Sequence, residues 1–249
     1  MAAFWFCAIS TGRPRRISRK KIIEYEAVHA IDTWDELRRR VQPANRRCFA
    51  FFHLSMPDDP LIFVEVALSR EIPSSIQGLL SEEREILSPD KATTATFYSI
   101  SNCQTGLRGV SFGNFLIKQV AEDLAHEIPD LKTFVTLSPV PGLMRWVKSE
   151  AEKDAEGRAA QALSLTETEG WHLDEDLTTK ASPLLKGLAA EYFLTAKRSD
   201  GQPLDPVARF HLGNGAMLRQ INWLGDVSPK GISQSAGIMV NYLYDLGDV

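Results

Sequence analysis

Apolar residues recur at helical spacing early in this chain, and the period then switches to near-continuous apolar runs. "RKKIIEYEAVHAI" (19–31) has the helical pattern. "DTWDELRRRV" opens on Asp32 as a candidate N-cap and predicts a second helix. "CFAFFHLS" (48–55) and "LIFVEVALS" (61–69) are aromatic and β-branched, and predict adjacent antiparallel strands turning through "MPDDP". "IPSSIQGLL" predicts a short helix and "TATFYSIS" (94–101) another strand. Gly106, Gly109 and Gly113 then precede an amphipathic helix from Phe115 to about His126, closed by Pro129.

"TFVTLS" (133–138) is the next strand, and it runs into the corner Pro139, Pro141, Gly142. "GLMRWVKSEAEKD" predicts a helix leaving that corner. Residues 150–183 are polar and acidic with little periodicity and read as a solvated insertion, with helical turns around "GRAAQAL". "LLKGLAAEYFLTAK" (184–197) predicts a strong helix. "AMLRQINWL" and "AGIMVNYLYDL" predict strands joined by "GDVSPKGISQS". Strands and helices mix throughout, so the fold class is α/β or α+β.

Composition narrows the function. The 249 residues are 44% hydrophobic and 24% charged, with net charge −4. That leaves no global basic bias of the kind nucleic-acid binders carry, and no apolar run reaches the roughly 18 residues a membrane span needs. Cys7, Cys48 and Cys103 form no CxxC pair, so neither a zinc site nor a disulfide framework is indicated, and a reducing compartment fits. HExxH, GxxxxGK[ST] and EF-hand patterns are absent, so no metal site is expected. The start pairs apolar "MAAFWFCAIS" with basic, acid-free "TGRPRRISRKK", the reverse of a secretory signal. Residues 1–18 are therefore left unassigned, as a disordered start. A cytoplasmic location is expected, with a mitochondrial one as the alternative suggested by the basic start.

Two features point to chemistry. The strand, glycine loop and helix at 94–126 suit a phosphate-bearing ligand, because a helix N-terminus offers unpaired N–H groups and glycines allow close approach. Arg108 would add a cation. The spacing is not GxGxxG, so a glycine turn that merely packs the helix is an equal reading. The second feature is a set of histidines. His29 and His126 sit late in predicted helices, His53 lies in an apolar strand and His172 in the acidic insertion. His211 differs: it precedes Gly213, Asn214 and Gly215, a loop with unusual backbone needs. Pairing it with Ser138 would make a nucleophile–base or donor–acid arrangement.

Taken together, "EAVHAIDTWDELRRRV", "FYSISNCQTGLRGVSFGNFLIKQVAEDL", "TLSPVPG", "DPVARFHLGNGA" and "INWLGDVSPKGISQSAGIMVNY" resemble the malonyl-CoA decarboxylase family, its bacterial branch most closely. The resemblance runs from about residue 20 to the C-terminus. It implies an acetyltransferase-like (GNAT-type) mixed sheet flanked by helices, with residues 19–249 as one acyl-CoA-binding catalytic domain. It implies conversion of malonyl-CoA to acetyl-CoA and carbon dioxide without metal, biotin or separate cofactor, CoA being part of the substrate. The family's catalytic serine and histidine fall on Ser138 and His211. Its acyl-CoA loop falls on Arg108, Gly109, Val110, Ser111, Phe112, Gly113 and Asn114, and further substrate contacts on Ser99 and Tyr244. His211 is expected to donate the proton, and Ser138 to bind and polarise the malonyl group.

The sequence is expected to depart from the family in three ways. The helical domain that precedes the catalytic domain is expected to be missing, which would weaken a homo-oligomer. Family members usually continue with a further helix after "YLYDLGDV", so a truncated chain is expected here. Ser111 stands where the animal enzymes carry a glutamate. No peroxisomal tripeptide closes the chain, and neither nucleic-acid nor membrane partners are expected. A CoA-dependent acyltransferase and an inactive acyl-CoA-binding fragment are the alternatives.

Overall fold

The computed structural model describes residues 4–8, 23–26, 28, 29, 31, 33–84, 86–104, 106 and 113–245. Of the predicted helix at 19–31, residues 23–25 are helical and 26, 28, 29 and 31 are not; the other residues of that stretch, the Asp32 cap and the loop residues Arg108 to Phe112 lie outside the described residues. The chain divides into two compact units. The first comprises 1–73, 78–136 and 243–249, and the second 74–77 and 137–242.

In the first unit β1 (Phe4–Ala8), β2 (Arg46–His53), β3 (Met56–Ser69) and β4 (Thr94–Asn102) pair antiparallel in sequence order. β5 (Thr133–Thr136) returns parallel to β4, after the crossover helix α3 (Gly113–Glu127). Leu243 and Tyr244 pair antiparallel with β5. The hairpin turn is Leu54–Ser55, not "MPDDP", which belongs to β3. Pro57 and Pro60 are accommodated because the register slips beside them, with Phe52 opposite Pro60 and His53 opposite Met56, and such irregular positions need no ladder N–H.

Helix α1 (Trp34–Val41) begins one residue later than Asp32 predicts. Thr33 is the N-cap, in a capping box with Glu36. Leu37 of α1 packs with Cys48, Ala50, Phe52, Phe63 and Cys103 in one buried cluster; positions 48, 50 and 52 show the period of two that puts alternate side chains on one sheet face. A short helix, α2 (Ile76–Leu80), straddles the division between the units.

The second unit is mostly helical: α4 (Leu143–Lys153), α5 (Arg158–Leu165), α6 (Glu175–Thr195), α7 (Pro206–Gly213) and α8 (Pro229–Ser235). Its strands are β6 (Ser138–Pro139), β7 (Met217–Asn222) and the first residues of β8 (Met239–Tyr244). The stretch 150–183 is largely helical, with Ala159, Ala162, Trp171 and Ala181 buried. Three of those four are alanines, whose small apolar surface leaves a weak hydrophobic signal.

Helix α6 starts nine residues before the predicted 184, capped by Asp174, and continues through Pro183. Its buried stripe of Ala181, Leu185, Leu188, Ala189, Tyr192 and Phe193 outweighs the one backbone hydrogen bond a proline removes. The linker "GDVSPKGISQS" folds into α8, with Ser228 as N-cap and Pro229 at its first turn.

Candidate functional site

Ser138 opens β6, whose two residues pair with β8 as Ser138 opposite Val240 and Pro139 opposite Met239. The chain then turns, with the Leu143 N–H donating to the Val140 carbonyl at 3.2 Å, and enters α4 at Gly142. The predicted single strand at 133–138 is thus two strands, β5 and β6, and the serine sits where the chain is about to turn.

His211 is not in a loop, as its glycine-rich surroundings predict, but in the last turn of α7. Asp205 caps that helix, its Oδ1 accepting from the Val207 and Ala208 N–H groups, both at 2.9 Å, and Pro206 occupies the first turn. The glycines end it. Gly215 has φ +82°, the left-handed region, and the Ala216 and Gly215 N–H groups donate to the carbonyls of His211 and Leu212, each at 3.1 Å. This Schellman arrangement fixes the backbone of His211 itself.

The two elements bring Ser138 Oγ to 3.3 Å from His211 Nε2, across 73 residues of sequence. Both side chains are buried, at 6% and 3% exposure. The imidazole stacks on Tyr242 with centroids 4.6 Å apart and meets the Phe210 ring edge-on at 4.9 Å. Burial pushes its pKa from 6.5 down to about 3. The negative end of α7 favours a cation by only ~1–2 kcal/mol, too little to offset that desolvation, so the ring is neutral at pH 7. Sequence reasoning expects a histidine tuned near neutrality; the fold sets it well below.

A second contact links the same two elements. Around Gly142, a Cβ would overlap the Tyr192 hydroxyl and approach Asp205 Oδ2 to 3.7 Å, so glycine is required there. Asp205 Oδ2 is buried close to Gly142 and the Tyr192 hydroxyl without a hydrogen bond, while Oδ1 holds the Val207 and Ala208 N–H groups. Burial raises the Asp205 pKa against the pull of these N–H groups.

The comparisons with known proteins match the chain to one family. The family described as malonyl-CoA decarboxylase C-terminal domain matches residues 8–249. The chain belongs to the malonyl-CoA decarboxylase family. It is 40% identical to the mitochondrial malonyl-CoA decarboxylase of Anser anser anser, over 92% of this chain and 50% of that protein. It is 53% identical to the crystal structure of malonyl-CoA decarboxylase from Agrobacterium vitis, at a TM-score of 0.92, over 99% of this chain and 61% of that one. The chain therefore spans about half the length of the curated relative. The loading GNATL domain of CurA from Lyngbya majuscula shares the fold at 13% identity and a TM-score of 0.58, so the acetyltransferase-like mixed sheet expected from the motifs is present.

Of the other positions that the resemblance to malonyl-CoA decarboxylases marks, Arg108, Gly109, Val110, Ser111 and Phe112 lie outside the described residues, while Gly113 and Asn114 open α3. Ser99 and Tyr244 are buried in the first unit, and burial raises the Tyr244 pKa. Ser99 has an acidic partner the motifs do not reveal: its hydroxyl lies 2.7 and 2.9 Å from the two carboxyl oxygens of Glu26. Glu26 also accepts the Val28 and His29 N–H groups, at 2.7 and 2.9 Å. Behind it, Arg40 Nη1 lies 3.3 Å from Glu65 and 4.0 Å from Glu26. Both carboxyl groups are fully buried. Glu26 falls within a predicted helix, and no local signal joins it to Ser99. Asp205, by contrast, was findable as an Asp-Pro helix start. Among the described residues no group of His, Cys, Asp or Glu could hold a metal ion, and no helix is long and apolar enough to cross a membrane.

Burial and the neighbouring Glu26 push Glu65 from 4.5 up to about 8, partly opposed by Arg40. The folded chain therefore holds this proton more tightly than the unfolded chain. That contribution to stability is complete below pH 4.5 and is lost as the pH rises to about 8. Glu65→Gln should flatten the fall in urea midpoint between pH 5 and 8; a variant as steep as the parent would place the titration elsewhere. His211 acts in the opposite sense, its contribution complete above pH 6.5 and lost as the pH falls towards 3.

Proposed function

We propose that this chain is the catalytic part of a malonyl-CoA decarboxylase, releasing carbon dioxide from malonyl-CoA to leave acetyl-CoA. The observation that supports this reading is the buried Ser138–His211 pair at 3.3 Å in a chain of this family. In the reaction, the bond between the methylene carbon and the carboxylate breaks and its electron pair passes into the thioester carbonyl. The enolate then takes a proton on carbon, so each turnover consumes one proton. The thioester is its own electron sink, and what the protein must add is orientation, charge stabilisation and that proton.

A neutral imidazole cannot supply the proton readily. The malonyl carboxylate changes this, because an anion beside His211 favours the imidazolium. His211 would take up its proton as the carboxylate binds and deliver it once carbon dioxide has left. Ser138, held against Nε2, would orient the malonyl group and lie on the proton's route. The CoA moiety is assigned to Arg108 through Asn114 on the family resemblance.

The test is to incubate the folded chain with malonyl-CoA and follow acetyl-CoA. Absence of turnover would remove this reading, and acetyl transfer to an added amine without malonyl-CoA breakdown would replace it with an acyltransferase. Proton uptake is a second measurement. Calorimetry in two buffers of different ionisation enthalpy should show more proton uptake with an unreactive malonyl-CoA analogue that keeps the carboxylate than with acetyl-CoA, and the difference should grow as the pH falls from 7 towards 5. Equal uptake with both would mean that the carboxylate does not charge His211.

A further inference from the structure

Ser138 and His211 reach each other from two short elements, a two-residue strand and an eight-residue helix. Neither is long enough to be rigid alone. Their first residues beyond the pair meet again at one side chain. Asp205 stands six residues before His211, and Gly142 four residues after Ser138. One Asp205 oxygen caps α7 through the Val207 and Ala208 N–H groups. The other is buried close to Gly142 and the Tyr192 hydroxyl. Tyr192 is in turn fixed in α6 and packs on Trp146 of α4, with centroids 5.3 Å apart. No Cβ fits at Gly142, so the corner lies directly against this cluster.

We infer that Asp205 is a positioning residue, clamping the helix of His211 to the corner of Ser138 through Gly142 and Tyr192 and so setting the distance between the two reacting side chains. The inference deepens the decarboxylase reading and rests on it for its kinetic consequence. An aspartate used only as a helix cap would need one oxygen. Here the second oxygen is also buried, packed beside Gly142 at the start of α4 and Tyr192 of α6, which is a costly arrangement unless it fixes their relative position.

Asp205→Asn separates the two tasks. The amide oxygen still caps α7, but the buried acceptor beside Gly142 becomes a donor. Tyr192→Phe removes only the hydroxyl. In the full chain, Asp205→Asn should lower kcat per folded molecule on the order of ten- to a hundredfold, the loss expected of a small misplacement. KM and acetyl-CoA affinity should stay within about twofold, as befits lost alignment rather than lost binding. Tyr192→Phe should lower kcat less, and the double variant should be no worse than Asp205→Asn, because both break one link. The His211 ring signals, followed by NMR in histidine-labelled protein, should move in both variants.

Unchanged kcat per folded molecule in both variants, additive losses, or an equal loss of acetyl-CoA affinity would overturn the clamp. If the parent chain shows no decarboxylation, the decarboxylase reading falls while the His211 signals still decide the clamp: a shift supports it and an unmoved ring rejects it. Should Asp205→Asn fail to fold, Tyr192→Phe decides by the same criteria.

Discussion

Replacing His211 by alanine is expected to abolish malonyl-CoA turnover while leaving acetyl-CoA binding nearly intact. The imidazole is the one group at the pair that can carry a proton between solvent and substrate carbon near neutral pH, and removing such a group typically costs a factor of about 10² to 10⁴ in rate. The ring also stacks on Tyr242, so the variant loses packing and its rate must be counted per folded molecule. Binding depends on the CoA portion of the ligand, which the resemblance assigns to residues 108–114, far from His211 in sequence. Titration with acetyl-CoA and a turnover assay on one preparation give both numbers. A parallel loss of binding and turnover would make His211 a structural residue and remove the proposed proton carrier. Ser138→Ala should reduce kcat less, since it takes away orientation but leaves the imidazole.

Loss of the Arg40 guanidinium should have the largest effect on stability. Arg40 is buried, and it is the cation placed between the fully buried carboxyl groups of Glu26 and Glu65. Taking one partner from a buried charged cluster costs about 3–5 kcal/mol where the remaining charges stay uncompensated, so the full cost applies above pH 8, and a smaller one below it, where Glu65 holds its proton. Arg40→Met keeps much of the side-chain volume and isolates the charge effect.

The deficit has a predictable pH dependence. Arg40 opposes the rise in the Glu65 pKa, so without it Glu65 ionises at still higher pH in the folded chain. The gap between parent and variant should therefore widen as the pH passes about 8, and adding Glu65→Gln should recover part of it. Urea unfolding at pH 6 and pH 9 checks both statements. A deficit under 1 kcal/mol at both values would mean that water or rearrangement solvates the cluster. Ser99 gives a local readout, since its hydroxyl is held by Glu26 and should lose that order when the cluster shifts.

Much of the fold was legible because its signals are local. The near-continuous apolar runs at 48–55 and 61–69 mark strands, glycine and proline positions mark turns, and the run from Phe115 has a helix period. Errors fell where a longer-range term outweighed the local one. "MPDDP" reads as a turn until pairing with β2 draws it into β3. Pro183 reads as a helix boundary until the buried stripe of α6 carries the helix through it. The chemistry was legible in part: the family motifs mark Ser138 and His211 and Asp205-Pro206 reads as a helix start, but nothing local joins Glu26 to Ser99 or Asp205 to Gly142.

Preferences acting within a few residues set the local geometry of the site. Asp205 and Pro206 start α7, Gly215 ends it one turn past His211, and Pro139 and Pro141 make the corner that follows Ser138. Those outcomes depend on steric and hydrogen-bonding preferences acting over a few residues. Only the tertiary structure decided that Ser138 and His211 meet across 73 residues, that burial holds the imidazole neutral, and that Glu26 takes the hydroxyl of Ser99. Burial and long-range contact belong to the packed chain as a whole, and no short window of sequence contains them.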